Sequence, residues 1–412
     1  MYRGATHMKQ VKLGAINSYN LYKQRKIKKA QYTVLFTVFL LIVSVFLATG
    51  RLEEDLGWIL SIWKVAPLEE DVYLKGNNIR YDLYSAPKAA KGVYIPARKI
   101  ENNKKYIKLA KETEVNSFVI DVKDDMGYLT FATDNKVLVD KGIVLANPPI
   151  EDIKALMDEL CEAGIYPIAR VVAFKDNVIA KREPERAVKK LDGEIYTTSG
   201  GDTWLDPYNK ENWAYLLEIS KEAAQVGFKE IQFDYMRFHE SMNENRVVLD
   251  PEVSKTEIIT EFTQYICENL KKEGVKVSAD VFGAVILSDL DANIVGQDFK
   301  AISKYLDYIC PMIYPSHYAE GTFGIDYPHC NPYEMILKTL KMGQNKINED
   351  GEKRAVIRPW LQDFTLKNLE PYLEYGTKEI RDQIKGAYDA GVEEWLFWNA
   401  GGNYTEEGLK AE

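Results

Sequence analysis

The chain has 412 residues, 46% of them hydrophobic and 28% charged, with 62 acidic against 53 basic side chains and a net charge of −9. A chain of this size and composition buries a full core, which excludes a disordered or collagen-like protein. Its acidic balance excludes nucleic acid as the partner of the main domain, because phosphate contacts need a basic face.

The charges are unevenly placed. Residues 1–31 carry Arg3, Lys9, Lys12, Lys23, Arg25, Lys26, Lys28 and Lys29 and no acidic residue. Tyr32 to Thr49 then runs without a charge, long enough at ~1.5 Å per residue to span a hydrocarbon core of about 30 Å. The flank Arg51-Leu-Glu-Glu-Asp55 is net acidic. By the positive-inside rule this pattern predicts a basic cytoplasmic tail over 1–31 and a single transmembrane anchor over 32–50. Everything after it is expected outside the cytoplasm, in a single-pass protein of the cell membrane. A cleaved signal peptide is the rival, but Ala48-Thr-Gly50 is a poor cleavage site and the apolar run is too long. The basic tail suits contact with anionic lipid. Residues 51–90 read as a stalk: an amphipathic piece from Leu56 to Trp63, then a polar connector to Pro87.

From Lys91 strand and helix patterns alternate. The predicted strands are Gly92–Ala97, Ser117–Lys123, Tyr166–Phe174, Ile231–Phe238, Val275–Gly283, Tyr308–Tyr314, Ala355–Gln362 and Glu394–Asn399. Helical patterns follow at Asn103–Glu114, Ile150–Ala163, Glu211–Val226, Thr256–Lys272, Asp298–Tyr305, Pro332–Asn345 and Lys378–Ala390. Gly164, Gly227, Gly274 and Gly391 sit where helix C-caps belong. Strands alternating with helices imply a parallel sheet, and eight repeats imply a closed (β/α)8 TIM barrel over 91–402, with 403–412 as a C-terminal tail. An open doubly wound sheet is the alternative. The βα loops are long and the αβ loops short, which puts the site at the C-terminal ends of the strands.

Polar residues gather at those ends. Strand two offers Asp121 with Lys123, Asp124 and Asp125, and strand three Arg170. Strand four offers Gln232 and Asp234, with Arg237 and His239 beyond its end. Strand five carries Asp280, and strand six Tyr314 with His317 after it. Strand seven offers Arg358, Trp360 and Gln362, and strand eight Trp398 and Asn399. A carboxylate such as Asp234 in an apolar strand loses hydration that only a partner or a function offsets. Two acids on neighbouring strand ends suit glycosidic cleavage, where one carboxyl protonates the leaving oxygen and the other attacks or activates water. Asp121 has a structural reading, as the partner of Lys123 or Arg170. Asp124 and Asp125 precede Met-Gly and read as turn formers. Arg237 fits two roles, orienting Asp234 or touching substrate.

The cysteines, Cys161, Cys267, Cys310 and Cys330, do not form a disulfide framework by spacing, and buried thiols are expected. No CxxC or HExxH occurs, and the four His are scattered. Neither a metal nor any other cofactor is expected.

Five segments carry a family resemblance: Lys91-Gly-Val-Tyr-Ile-Pro96, Phe118-Val-Ile-Asp-Val-Lys-Asp-Asp125, Phe233-Asp-Tyr-Met-Arg-Phe238, Ala279-Asp-Val-Phe-Gly283 and Cys310-Pro-Met-Ile-Tyr-Pro315. In this order they resemble the glycosyl hydrolase domain family of secreted bacterial proteins, a TIM barrel distantly similar to the α-amylase superfamily. The resemblance implies Asp234 as nucleophile and Asp280 as proton donor. The chain departs from the amylase-like pattern in carrying Asp280 where Glu is usual and Gln232 where an Arg precedes the nucleophile.

The sequence therefore predicts a membrane-anchored glycoside hydrolase acting on an envelope or extracellular polysaccharide through Asp234 and Asp280. Asp121, Arg170, Arg237, His317, Arg358, Gln362 and Asn399 are expected to bind substrate, with Tyr314, Trp360 and Trp398 as stacking surfaces. Two rival readings are a silent glycan-binding or scaffolding barrel and a metal-assisted deacetylase using Asp121, Asp124 and a His. Oligomeric state is left open.

Overall fold

The computed structural model describes residues 86–100 and 102–411. The expected cytoplasmic tail and anchor, and the stalk up to residue 85, lie outside the described residues. Among the described residues no helix is long and apolar enough to cross a membrane.

All the strands run parallel: β1 Lys91–Ile95, β2 Ser117–Lys123, β3 Tyr166–Val172, β4 Glu230–Asp234, β5 Lys276–Phe282, β6 Tyr308–Met312, β7 Val356–Ile357, β8 Trp360–Gln362 and β9 Trp395–Trp398. Each pairs with its sequence neighbour from β1 to β6, β6 pairs with both β7 and β8, and β8 joins β9, which returns to β1. The sheet is thus closed. β7 and β8 are two halves of one predicted strand, interrupted at Arg358-Pro359, since proline brings no N–H to the ladder. Counted as one strand, they leave an eight-stranded barrel, and the open doubly wound sheet is excluded.

Helices follow the strands at Asn103–Glu112 (α1), Ile153–Glu162 (α2), Lys210–Val226 (α3), Lys255–Leu270 (α4), Phe299–Ser303 (α5), Pro332–Asn348 (α6) and Thr377–Asp389 (α7). Their starts are capped as the sequence suggests. Asp152 accepts from the backbone N–H groups of Lys154 and Ala155 at α2, and Ser254 with Glu257 forms a capping box at α4.

Period-two alternation sorts each strand into two layers. On β4, Ile231 and Phe233 pack outward into the core shared with the helices, so Glu230, Gln232 and Asp234 face the barrel interior. Inside, Tyr94, Val119, Ile168, Cys310, Trp360 and Leu396 form a separate apolar cluster that fills the barrel. The interior is therefore solid below the polar residues at its C-terminal mouth.

Two expectations need correction. The fourth strand stops at Asp234 rather than running to Phe238, because Tyr235 adopts a left-handed φ of 50° that no strand accommodates. The residues after 402 are not a free tail. Helix α8, Glu406–Leu409, docks on the barrel with Leu409 fully buried and its carbonyl accepting from the Glu114 N–H at 2.9 Å. A buried leucine and a paired backbone carbonyl make this segment the eighth barrel helix.

Candidate active site

The mouth is organised around Arg170. Its Nε and Nη2 both donate to Oδ2 of Asp234, at 2.9 and 2.6 Å, and its Nη1 donates to Oδ1 of Asp121 at 2.8 Å. Nη2 also reaches Asp125 at 2.9 Å. Strand register brings these together: Asp121 lies opposite Arg170 across β2 and β3, and Val172 opposite Asp234 across β3 and β4. The guanidinium is 3% exposed, so without three carboxylates its charge would be uncompensated in a dry interior.

A register shift between Asp121 and Lys123 decides which basic residue Asp121 meets. This bulge in β2 turns Lys123 away, to an ion pair with Asp176 at 2.9 Å and the Val172 carbonyl at 2.8 Å. Asp121 is thereby left to Arg170 and to the Tyr94 hydroxyl, which donates to its Oδ2 at 2.7 Å. Burial lifts the Asp121 carboxyl above the usual carboxylate range, opposed by Arg170 and Tyr94. Asp124 forms the expected turn, accepting from the N–H groups of Met126, Gly127 and Tyr128. Asp125 instead faces the pocket. Burial raises its carboxyl, but Arg170 and Lys175 outweigh that and hold it below the usual range.

Asp280 sits on the neighbouring strand, one residue beyond the Phe233–Ala279 pair as Asp234 is on β4. It is 2% exposed and accepts from the Trp360 indole N–H at 2.6 Å. Burial pushes its carboxyl well above the ordinary range, and the Asp234 charge pushes it further. The two acids therefore have different surroundings: Asp234 is held by a cation and by the Tyr235 N–H at 2.6 Å, whereas Asp280 lies among aromatics. The two acids thus differ in their partners and in their burial.

Both acids open onto a pocket with about 590 Å³ of empty volume. Arg170, Arg237 and Asp125 supply its remaining charges, and Tyr235, Phe282, Met312, Tyr314, Trp360 and Trp398 its apolar walls. Trp398 stacks on Tyr94 with centroids 4.1 Å apart. Trp360 is only 1% exposed and offers its N–H to Asp280 rather than a stacking face. Tyr314 is buried beside His317, whose ring packs against Tyr314 and Phe364 and whose pKa is lowered by burial.

Five of the predicted substrate contacts, Asp121, His317, Arg358, Gln362 and Asn399, do not line the pocket. Arg358 is fully buried near the N-terminal end of the barrel interior, paired with Glu230 at the start of β4 and lying 4.1 Å from the Tyr308 ring centroid. The register against β6 is the same on both sides of Pro359, so Arg358 simply stands two residues before Trp360, which reaches the pocket. Gln362 holds loops together, accepting from the Ser316 hydroxyl at 2.9 Å and donating to the Phe364 carbonyl at 2.7 Å. Asn399 donates to the Asp363 carbonyl at 2.6 Å and accepts from the Gly401 N–H at 2.9 Å.

Tyr94, Tyr235 and Phe282 escaped the sequence reading. Tyr94 looks like a core residue of β1, and Phe282 like one of β5. Tyr235 carried a signal in hindsight, since a polar aromatic directly after an inward acid at a strand end is poised to leave the strand. Cys310 and Cys330 form no disulfide. The Asp121, Asp124 and His set of the deacetylase reading is not assembled, because Asp121 faces Arg170 and Asp124 serves its turn. Among the described residues no group of three or more His, Cys, Asp or Glu could hold a metal ion.

A closed parallel barrel with acids and aromatics at its C-terminal mouth defines the class of (β/α)8 barrels to which many glycoside hydrolases belong. Residues 92–404 match the family described as "Putative glycosyl hydrolase domain", and the chain belongs to that family. No curated protein matches it. Among solved structures, a hypothetical protein from Ruminiclostridium thermocellum is 37% identical over 46% of this chain and 97% of its own, with a TM-score of 0.42. The glycoside hydrolase domain of PgaB (BpsB) from Bordetella bronchiseptica is 12% identical over 76% of this chain and 95% of its own, with a TM-score of 0.56. That second likeness is one of fold.

Proposed function

We propose that this barrel hydrolyses a glycosidic bond in an envelope or extracellular polysaccharide, with Asp280 as proton donor and Asp234 as the ionised carboxylate. The observation that carries this is the asymmetry between two acids on adjacent strands, one clamped by Arg170 and one buried against Trp360. Asp280 Oδ1 is occupied by the indole, so Oδ2 carries the proton to the leaving oxygen. As the C–O bond breaks, Asp234 faces the anomeric carbon, which finally receives the hydroxyl of a water molecule, and the water's remaining proton passes to the carboxylate pair and so restores the protonated Asp280. Trp398 offers a sugar-stacking edge, and Tyr94 and Asp121 fix Arg170 from behind. The apolar run at 32–50 would tether the barrel to the outer side of the cell membrane.

The test is reducing-end release by the full-length chain on envelope and exported polysaccharides, beside Asp234→Asn and Asp280→Asn. Activity abolished in both variants, with unchanged circular dichroism, supports the pair. Unchanged activity in either removes that residue from the mechanism. Glycan binding without cleavage in the wild type would favour the silent barrel instead.

A further inference from the structure

The pocket holds two arginines in opposite electrostatic situations. Arg170 is compensated three times, by Asp121, Asp125 and Asp234. Arg237 is nearly as buried, with its side chain 9% exposed, yet its ion pair is a 3.4 Å contact with Glu240, whose side chain is 58% exposed. Its Nη1 also donates to the Phe238 carbonyl at 3.0 Å. Nε and Nη2 have no hydrogen-bond partner among the described residues. The guanidinium lies over Phe282, 4.2 Å from the ring centroid, with Tyr235 and Trp204 at 5.2 and 5.4 Å. Aromatic faces stabilise a cation but leave its in-plane N–H edge open.

A cation removed from water without a close counter-ion is unfavourable, and such a group lining a cavity is a candidate binding residue. We propose that Arg237 forms an anion subsite beside the two acids and that the pocket takes a sugar bearing a carboxylate. The proposal rests on the glycan-site reading above and specifies its substrate class. Position supports it: Arg170 arises from β3 and Phe282 ends β5, so the two cations flank Asp234 on either side. A sugar ring set over Asp234 and Asp280 would carry a substituent towards Phe282 and meet the free edge of Arg237. The planar fork matches a carboxylate bidentately. Asp234 and Asp125 nearby oppose any anion, and a doubly charged phosphate about twice as strongly as a singly charged carboxylate.

Binding to the full-length chain, measured by titration calorimetry, tests this without requiring cleavage. The probes are D-glucuronate against D-glucose and N-acetylmuramate against N-acetylglucosamine, with glucose 6-phosphate as the phosphate arm. Wild type is expected to prefer each carboxylated sugar by on the order of tenfold or more, the range for a hydrogen bond to a charged group. The preference should vanish in Arg237→Gln and persist, weakened, in Arg237→Lys. Equal affinity for acid and neutral sugars in the wild type overturns the proposal, and that comparison needs no variant to fold. So does a preference that survives Arg237→Gln, or tighter binding of glucose 6-phosphate than of glucuronate. Carboxylate preference without hydrolysis of any polymer would defeat the glycosidase reading and leave the subsite standing. Hydrolysis of neutral polymers with no such preference would do the reverse.

Discussion

Arg170 places two N–H groups on a single oxygen of Asp234, at 2.9 and 2.6 Å, and leaves the other oxygen to the Tyr235 backbone. The guanidinium fixes the carboxylate in orientation, because its fork cannot rotate without breaking the contacts to Asp121 and Asp125. Lysine offers one point charge and cannot replace that geometry. Arg170→Lys should therefore lower kcat/KM by about 100-fold, the scale of an ångström-level misplacement in an active site. Arg170→Met, which strands three carboxylates, should destabilise the fold by about 3–5 kcal/mol. Thermal melts beside steady-state rates on the same preparations separate the two effects.

The pH dependence should follow Asp280. A carboxyl whose pKa is raised in the native state binds its proton more tightly folded than unfolded. Stability therefore falls as pH rises from the ordinary carboxyl value, about 4, towards the raised one. Asp280→Asn cannot ionise, so its melting temperature should decline less than that of the wild type over this window. Its rate should fall by about 10²–10⁴, the usual contribution of a general acid. A wild type and variant melting in parallel across pH would show that Asp280 is not a buried, proton-retaining group.

Trp360 should tune that proton. Its indole N–H donates to Asp280 at 2.6 Å and favours the charged form. Trp360→Phe keeps most of the apolar volume and removes the donor. The Asp280 pKa should rise further, moving the basic limb of the pH–rate profile upward. A packing role alone would lower activity without shifting that limb.

Arg358 provides the contrast. It is fully buried at the far end of the barrel interior with Glu230, and approaches Glu394 at 3.6 Å. Arg358→Met leaves Glu230 charged and unpaired, so a loss of about 3–5 kcal/mol is expected. Substrate affinity and the pH–rate profile of the surviving folded protein should match the wild type. A specific rise in KM would return Arg358 to the binding site that the sequence suggested.

The sequence by itself determined the barrel, since alternating strand and helix periods and short αβ loops admit few other closures. It also determined that Asp234 and Asp280 would face inward, because both break apolar runs at the ends of strands whose neighbours face the helices. Period alone could not say at what depth an inward residue sits. Arg358 and Arg170 look alike in sequence, yet one lies near the floor, paired with Glu230 at the start of β4, and the other at the mouth, where the register of β3 with β4 carries it to Asp234. Nor could spacing foresee the β2 bulge that gives Asp121 to Arg170 and Lys123 to Asp176. The docking of α8 was equally hidden, since a four-residue helix has too little local pattern and forms only against the surface that buries Leu409. Local periodicity decides which face of a strand a residue takes. Depth, pairing and charge compensation depend on contacts between segments far apart in the chain, and only the tertiary structure decided those.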